Sequence, residues 1–425
     1  MSTDRESLGR HYDVIVIGGG PSGMMAAGVA AQRGKRVLLV EKNKQLGKKL
    51  SVTGGGRCNI LNAETDTKKL IENYGDAAKY LYSPFSQHSM QDSWDFFEKR
   101  GVPIVVEARK RAFPESQKAE DVTQAMRSFV TKNGVTLKLG TRLKEFVVDE
   151  EEKKVLGIKT TDESFSADSF ILATGGSARA AETGATSESV ELLKQYGHTV
   201  HEPNPNIVPL KVEDQWVKDI SGVTLSFMKI TFWDHKYSKE TKFSRTGKIL
   251  FTHFGLSGPL ILNAAHEVKK LLAKGQVHAT IDMYPDTEVG TLRNRVLEVF
   301  NLHKNKELRN VLKEFVPAGM DSAVAAQCDE ELLATRVHSV TKEDRNDLVD
   351  RLKAMPMTVF GTMGLDWAVI SDGGVDLSEV DTKTMASKKL TNLHFTGDVL
   401  NINRPSGGFS LQLCWTTGHV AGSHC

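Results

Sequence analysis

The stretch Tyr12-Asp13-Val14-Ile15-Val16-Ile17-Gly18-Gly19-Gly20-Pro21-Ser22-Gly23 decides how the chain is read. Tyr12 to Ile17 is a short apolar run suited to a strand buried on both faces. The glycines break it, Met24 to Ala31 is rich in helix formers, and Arg36 to Val40 makes the next strand. A strand–turn–helix–strand order predicts a βαβ unit with a right-handed crossover and a parallel sheet. Gly18, Gly20 and Gly23 stand as GxGxxG in the turn. The first glycine permits the tight turn, the second lets backbone approach a pyrophosphate, and the third lets helix pack on strand. Gly20, Pro21 and Ser22 open the helix, whose free N–H groups then face the phosphates. Glu41 ends the second strand eighteen residues after Gly23, where a carboxylate accepts from ribose hydroxyls. The bland alternative is a glycine turn beside a solvated glutamate. The strand, helix and acid together favour dinucleotide binding.

Outward from this unit, the 425 residues suggest two or three domains, and 40% apolar with 25% charged residues predicts a packed interior. Lys+Arg number 55 against 53 Asp+Glu, so the net charge of +2 does not favour a general nucleic-acid or membrane-surface binder. No apolar run approaches the about 18 residues of a membrane span. The polar first eleven residues do not fit a signal peptide. Cys58, Cys328, Cys414 and Cys425 are scattered without CxxC spacing, which argues against a disulfide framework and a structural zinc site. A soluble cytoplasmic enzyme is the expectation.

The pattern changes along the chain. Residues 1–200 read as the first part of the nucleotide-binding domain, with helices over Gln87–Lys99 and Lys118–Thr131 and strands over Leu143–Asp149, Lys154–Thr160 and Ser164–Ala173. Prolines 203, 205 and 209 mark entry to a mainly β insert, residues 201–285. Residues 286–355 read as a charged helical insert, with Leu308, Val311, Leu312 and Phe315 along one face. Residues 356–425 return to strands and glycines as the second part of the domain.

That second part separates FAD from NAD. Leu393 to Thr396 is an apolar strand ending in Gly397-Asp398, followed by Gly407-Gly408-Phe409 and a helix. In two-part flavoproteins such a Gly-Asp pair meets the ribityl and phosphate region and the following helix points its N-terminus toward the flavin. Phe170 to Ala173 is a buried strand ending in Thr174-Gly175-Gly176. Each piece alone is as often a plain strand end; together with Glu41 they favour FAD.

Gly47-Lys48-Lys49-Leu50 and Thr53-Gly54-Gly55-Gly56-Arg57-Cys58-Asn59 resemble the GRK…TGGGRCN signature of the BaiN/RdsA-type (YhiN-like) FAD-dependent oxidoreductases. Arg111–Ser116, Leu250–Pro259 and Lys383–Lys388 match further, in the family's order. The resemblance implies an α/β fold: a two-part Rossmann-like FAD-binding domain with a β-barrel-like insert and a small helical insert. It also implies a cofactor-binding set comprising Gly18, Gly20, Pro21, Ser22, Gly23, Glu41, Lys42, Lys49, Thr53, Gly55, Gly56, Arg57, Cys58, Leu143, Thr174, Gly175, Gly176, Gly397, Asp398, Gly407, Gly408 and Phe409. The chain departs from the family at Thr183–Ser189 (including Ser187), where a TGSTGDG-like run is usual. It also has Asp398 for the usual glutamate and Phe409-Ser410 for Tyr-Asn. Aspartate still accepts, so FAD binding is expected to survive, with a changed substrate side.

Three residues are candidates for catalysis: Cys58, His253 and Arg57. Consecutive glycines let backbone N–H groups approach an anion or the flavin edge. Arg57 suits a phosphate or the negative charge of reduced flavin. Cys58 reads either as a small hydrophobe packed beside the cofactor or as a proton donor or thiolate. No second cysteine lies close to it in sequence, so a redox disulfide would need Cys328 or Cys414. His253, between Phe251 and Phe254, is equally a structural histidine or a substrate-side acid. Arg109-Lys110-Arg111 is a solvated basic run or a contact to an anionic substrate.

The resemblance implies reduction of an activated C=C bond with electrons from NAD(P)H. No second GxGxxG follows a strand, so nicotinamide would dock transiently. Uracil in ribosomal RNA, giving dihydrouridine, is the leading substrate, and an unsaturated steroid ring is another. A flavin amine oxidase and a flavin-stabilised RNA-binding scaffold are the competing classes. No metal and no membrane partner are expected.

Overall fold

The computed structural model describes residues 8–178, 188–234 and 243–425. The chain forms two compact units: residues 1–205 with 370–425, and residues 206–369. The larger unit is built on five parallel strands: β1 (His11–Ile17), β2 (Val37–Glu41), β3 (Thr136–Leu139), β4 (Ser164–Leu172) and β5 (Leu393–Phe395). Their order in the sheet is β5-β4-β1-β2-β3. The N- and C-terminal parts of the chain thus share one sheet, with β5 paired to β4 through Leu393–Phe170 and Phe395–Leu172. β1 lies at the centre, and Val14, Ile15 and Val16 have no exposed surface, as a strand covered on both faces requires.

Helix α1 (Pro21–Gln32) follows β1, α2 (Ala119–Lys132) precedes β3, and α3 (Phe409–His424) ends the chain. α1 is buried from Ser22 to Ala30 and α3 over most of its length, since each is apolar all round rather than on one stripe. They pack through backbone. A Cβ on Gly418 would lie 2.5 Å from the Ser22 carbonyl oxygen, and one on Gly422 2.5 Å from that of Ala26. These glycines permit the close approach.

The helix expected over Gln87–Lys99 runs from Met90 to Glu98, and a separate helix, Ala78–Gln87, precedes it. Ser89 stops the first and caps the second: its hydroxyl accepts from Asp92 N–H while the Asp92 carboxylate accepts from Ser89 N–H.

The smaller unit contains a closed six-stranded antiparallel barrel formed by Leu210–Val212, Gly255–Ser257, Phe243–Thr252, Thr224–Trp233, Val277–Asp282 and Met355–Thr362. Two boundaries differ from the expectation. Met355–Thr362 follows the helical segment yet closes the barrel, pairing with Val277–Ile281 and with Leu210–Val212, so residues 356–369 do not belong with the C-terminal part. Backbone pairing, invisible in local composition, decides this. Conversely, Val200–Asn206 pairs with Ile370–Val375, and its first residues belong to the larger unit. Leu308, Val311, Leu312 and Phe315 are all buried, but on two short 3-10 turns rather than one helix. The Thr183–Ser187 part of the divergent run lies outside the described residues.

Candidate cofactor and active site

The turn after β1 is shaped by what a side chain would strike. A Cβ on Gly18, whose φ is +108°, would lie 2.5 Å from the Ala173 carbonyl oxygen, and one on Gly23 would lie 1.9 Å from the Gly18 carbonyl oxygen. Gly20 differs. Its backbone is extended and a Cβ there would meet nothing within 4 Å. The N-terminus of α1 therefore opens on free space, with Pro21 in the first turn, no side-chain cap and no acidic residue within that turn. Its N–H groups and positive dipole end suit an anionic phosphate.

Glu41 is 8% exposed at the end of β2. Its Oε2 accepts from Gly19 N–H at 2.6 Å, and Oε1 accepts from Asn43 N–H at 2.8 Å and Asn43 Nδ2 at 2.6 Å. Three donors on about four acceptor positions leave room for a ribose hydroxyl. Asn43, which clamps the carboxylate, was not foreseen; an amide two residues after the acid is a legible signal. The Glu41 carbonyl also accepts from Thr141 N–H at 3.0 Å, which ties the segment leading into Leu143 to the acid, and Leu143 is itself buried. Lys42 follows Glu41 directly.

At the end of β4, Gly175 has φ +77° and open space at its Cβ position, while Thr174 Oγ1 and Ser177 Oγ are buried without partners. Gly175, Gly176 and Ser177 line a shallow cleft together with Ser371, Asp372 and Asp398. Gly397 N–H donates to Thr417 Oγ1 at 3.0 Å, and Thr396 Oγ1 donates to Ser22 Oγ at 3.1 Å, joining the C-terminal turn to the head of α1. Gly407 and Gly408 have φ of +115° and +97°, and a Cβ on Gly408 would lie 2.2 Å from the Leu61 carbonyl carbon. Tyr74 Oη donates to the Phe409 carbonyl at 2.8 Å, anchoring the start of α3.

Asp398 is not a free acceptor. Its Oδ2 lies 3.5 Å from Lys49 Nζ, and its Oδ1 accepts from Arg404 Nη2. Burial alone would raise its pKa, but the two cations outweigh that and hold it below the usual carboxylate range. Sequence reading missed Arg404, whose signal was a lone arginine between Gly397-Asp398 and Gly407-Gly408.

The glycine loop runs through left-handed backbone that glycine adopts without strain. Gly54, Gly55 and Gly56 have positive φ, and Cβ atoms on the last two would meet open space. Cys58, at φ +59°, is fully buried in the apolar core, its N–H donating to the Thr53 carbonyl at 3.0 Å. Burial pushes its thiol up to about 12, against a smaller lowering from Thr53, so it is protonated at neutral pH and the thiolate option fails. Arg57 does not supply a field to change that. Its guanidinium lies 4.2 Å over the Phe113 ring, Nε donates to Gln117 Oε1 at 2.6 Å, and Nη2 pairs with Glu107. Arg111 shares Glu107 at 3.5 Å, and Lys110 pairs with Glu64 at 2.6 Å. Cys58, Arg109, Lys110 and Gln117 are four of the seven described non-glycine residues with positive φ, so backbone strain concentrates around Arg57.

His253 is an exposed residue at the tip of the Phe243–Thr252/Gly255–Ser257 hairpin of the smaller unit, edge-on to Phe254 at 5.0 Å. All four cysteines are free thiols. Among the described residues no cluster of three or more metal-ligating side chains occurs, and no helix is long and apolar enough to cross a membrane.

The open cradle at Gly20, the uncapped α1 N-terminus, the clamped Glu41 and the orphaned Thr174 hydroxyl fit a dinucleotide cofactor. Comparison with known proteins specifies which. The chain is 25% identical over 412 residues to ribosomal RNA dihydrouridine synthase of Escherichia coli (strain K12), covering 96% of both chains. It is 27% identical over 415 residues to 3-dehydro-bile acid delta(4,6)-reductase of Clostridium scindens, covering 96% of this chain and 97% of that one. The fold is shared with 3-ketosteroid delta1-dehydrogenase from Sterolibacterium denitrificans, at 13% identity and a TM-score of 0.54 over 98% of this chain and 99% of that one. It is shared too with a flavocytochrome c3 fumarate reductase, at 15% identity and a TM-score of 0.53 over 99% and 78%. The model of the HI0933-like protein Rossmann domain matches residues 12–424. The chain belongs to this HI0933-like family, and it is an FAD-dependent oxidoreductase of the BaiN/RdsA type.

Proposed function

We propose that this enzyme uses NAD(P)H to reduce an activated C=C bond in a ring, and that uracil in ribosomal RNA is the first substrate to test. The observation that carries this reading is the pair of relatives matched along nearly their whole length, whose names describe two different rings and one type of reduction. When bound, the flavin supplies hydride transfer between the nicotinamide and the ring. The chain's own residues hold, orient and protonate. The α1 N-terminus with Glu41 and Lys42 binds the AMP half. Gly397, Asp398, Gly407 and Gly408 hold the ribityl side, with Lys49, Thr53, Gly55, Gly56 and Thr174 to Gly176 around it, while Leu143 lies on the Glu41 side.

Hydride delivered to one ring carbon leaves enolate character on its neighbour, which then needs a proton. Cys58 Sγ, protonated at neutral pH, is the first candidate for that proton, with His253 second. A small free ring is the alternative substrate, and the internal pairing of Arg57, Arg111 and Lys110 to glutamates favours it. Phosphates of an RNA would have to displace those carboxylates.

The test has two stages. Anaerobic protein mixed with NADPH, then NADH, should bleach its yellow colour, and oxygen should restore it slowly. Bleaching by an amine but by neither nicotinamide would replace the reductase with an oxidase. Dihydrouridine in large-subunit ribosomal RNA should then disappear when the gene is removed; an unchanged nucleoside profile leaves the small ring.

A further inference from the structure

The C-terminal half of the site contains a buried charge that the binding pattern does not account for. The Arg404 side chain is 1% exposed, one of the largest fully buried side chains in the protein. Its guanidinium donates to Asp398 Oδ1, to the Ile402 carbonyl oxygen and, from Nε, to Ser410 Oγ at 3.3 Å. Lys49 approaches the other Asp398 oxygen at 3.5 Å. Two cations thus share one carboxylate, and among the described residues no second carboxylate pairs with either. The cluster has one positive charge in excess. Burying an uncompensated charge is costly, so such a cluster calls for an anion. The start of α3 adds to the same sign, with no acidic residue in its first turn and no side-chain cap at Gly408.

We propose that Arg404 is a positioning residue of the cofactor site that fixes Asp398 and, with Lys49, supplies the excess positive charge that favours the reduced flavin. The inference rests on the FAD reading above. Reduction by NAD(P)H transfers a hydride, leaves NAD(P)+, and gives the isoalloxazine one negative charge it lacked when oxidised. A fixed positive charge in a water-poor site stabilises that state over the neutral one.

The experiment is a midpoint-potential titration of flavin-loaded wild-type, Arg404→Met, Arg404→Lys and Lys49→Met proteins, with sulfite affinity as a second readout. Arg404→Met should shift the reduction equilibrium at least tenfold toward oxidised flavin, about 30 mV for a two-electron couple. Sulfite affinity, which also reports stabilisation of an anionic flavin, should fall in the same direction. Arg404→Lys should restore most of the potential because it keeps the charge. Lys49→Met, at a partly exposed side chain, should move the potential the same way and decides the matter if Arg404→Met does not fold. An unchanged potential in the loaded variants overturns the proposal, even where FAD binding weakens, because the charge would then serve the pyrophosphate. Equal behaviour of Arg404→Lys and Arg404→Met also overturns it. A wild-type protein that takes up no flavin would instead overturn the FAD reading.

Discussion

The two helix starts that meet in the larger unit solve one problem in different ways. The head of α1 is a cradle of backbone alone: glycines at 18, 20 and 23, no cap and no charge in the first turn. The head of α3 also lacks a cap, but it stands on buried ionic groups, Asp398 with Arg404 and Lys49. The first site depends on the absence of side chains and tolerates almost no addition. The second depends on a balance of charge and tolerates almost no deletion.

The sharpest way to break this contrast is within the first turn. Gly23→Ala places a methyl group 1.9 Å from the Gly18 carbonyl oxygen, so the sheet and α1 must part. The expected cost is about 3 kcal/mol or more, read as a lowered midpoint in urea. Gly20→Val should behave oppositely, because its Cβ direction is open and its backbone extended. It should fold with a nearly unchanged midpoint yet purify colourless; a fully yellow Gly20→Val protein would move the cofactor elsewhere.

At the second helix start, Asp398→Asn removes the one carboxylate between two cations and should cost about 3 kcal/mol by leaving Arg404 uncompensated. Bound FAD should recover part of that loss, and a stability equal to wild type with no FAD present would refute the charge-balance account.

Farther along α3, His419 stacks on His88 with centroids 4.3 Å apart. Burial, with a smaller contribution from His419, lowers His88 from its ordinary value of 6.5 to about 3, and burial lowers His419 as well. Asp92 opposes the shift for both, and His424 adds to it for His419. Both imidazoles are therefore neutral in the folded protein, whereas the unfolded chain takes up protons below about 6.5. The stabilisation is complete above that pH and is lost as pH falls toward about 3, at no more than about 1.4 kcal/mol per unit for His88. His88→Gln should flatten the acid limb of the stability profile; an identical slope would show that His88 is not the titrating group.

The smallest structural effect is expected at Cys58. Cys58→Ala should cost about 1 kcal/mol and leave flavin reduction by NAD(P)H unchanged, while slowing transfer to the acceptor about tenfold. With its thiol pushed up to about 12, Cys58 should also resist alkylation at neutral pH in the folded protein. If both half-reactions are unaltered, Cys58 is packing and His253→Ala is the next variant.

These differences track what local sequence carries. The strand–glycine–helix unit at Tyr12–Gly23 was legible because its information is short in range: a continuous apolar run, turn residues and an acid at a set distance lie within thirty residues. The same holds for the β5 strand and the Gly407-Gly408 turn. The helix break at Ser89 was written locally too, in a Ser-x-x-Asp capping box passed over in favour of the apolar period. Tertiary structure alone decided the rest. That Met355–Thr362 closes the barrel depends on backbone partners about 75 and 150 residues away. That Arg57 faces Glu107 and Gln117 rather than an anion depends on two segments meeting fifty or more residues apart. Arg404 is near Asp398 in sequence, but its meaning comes from burial and from Lys49, since a charge acquires its functional weight only when the fold removes water and selects its partners.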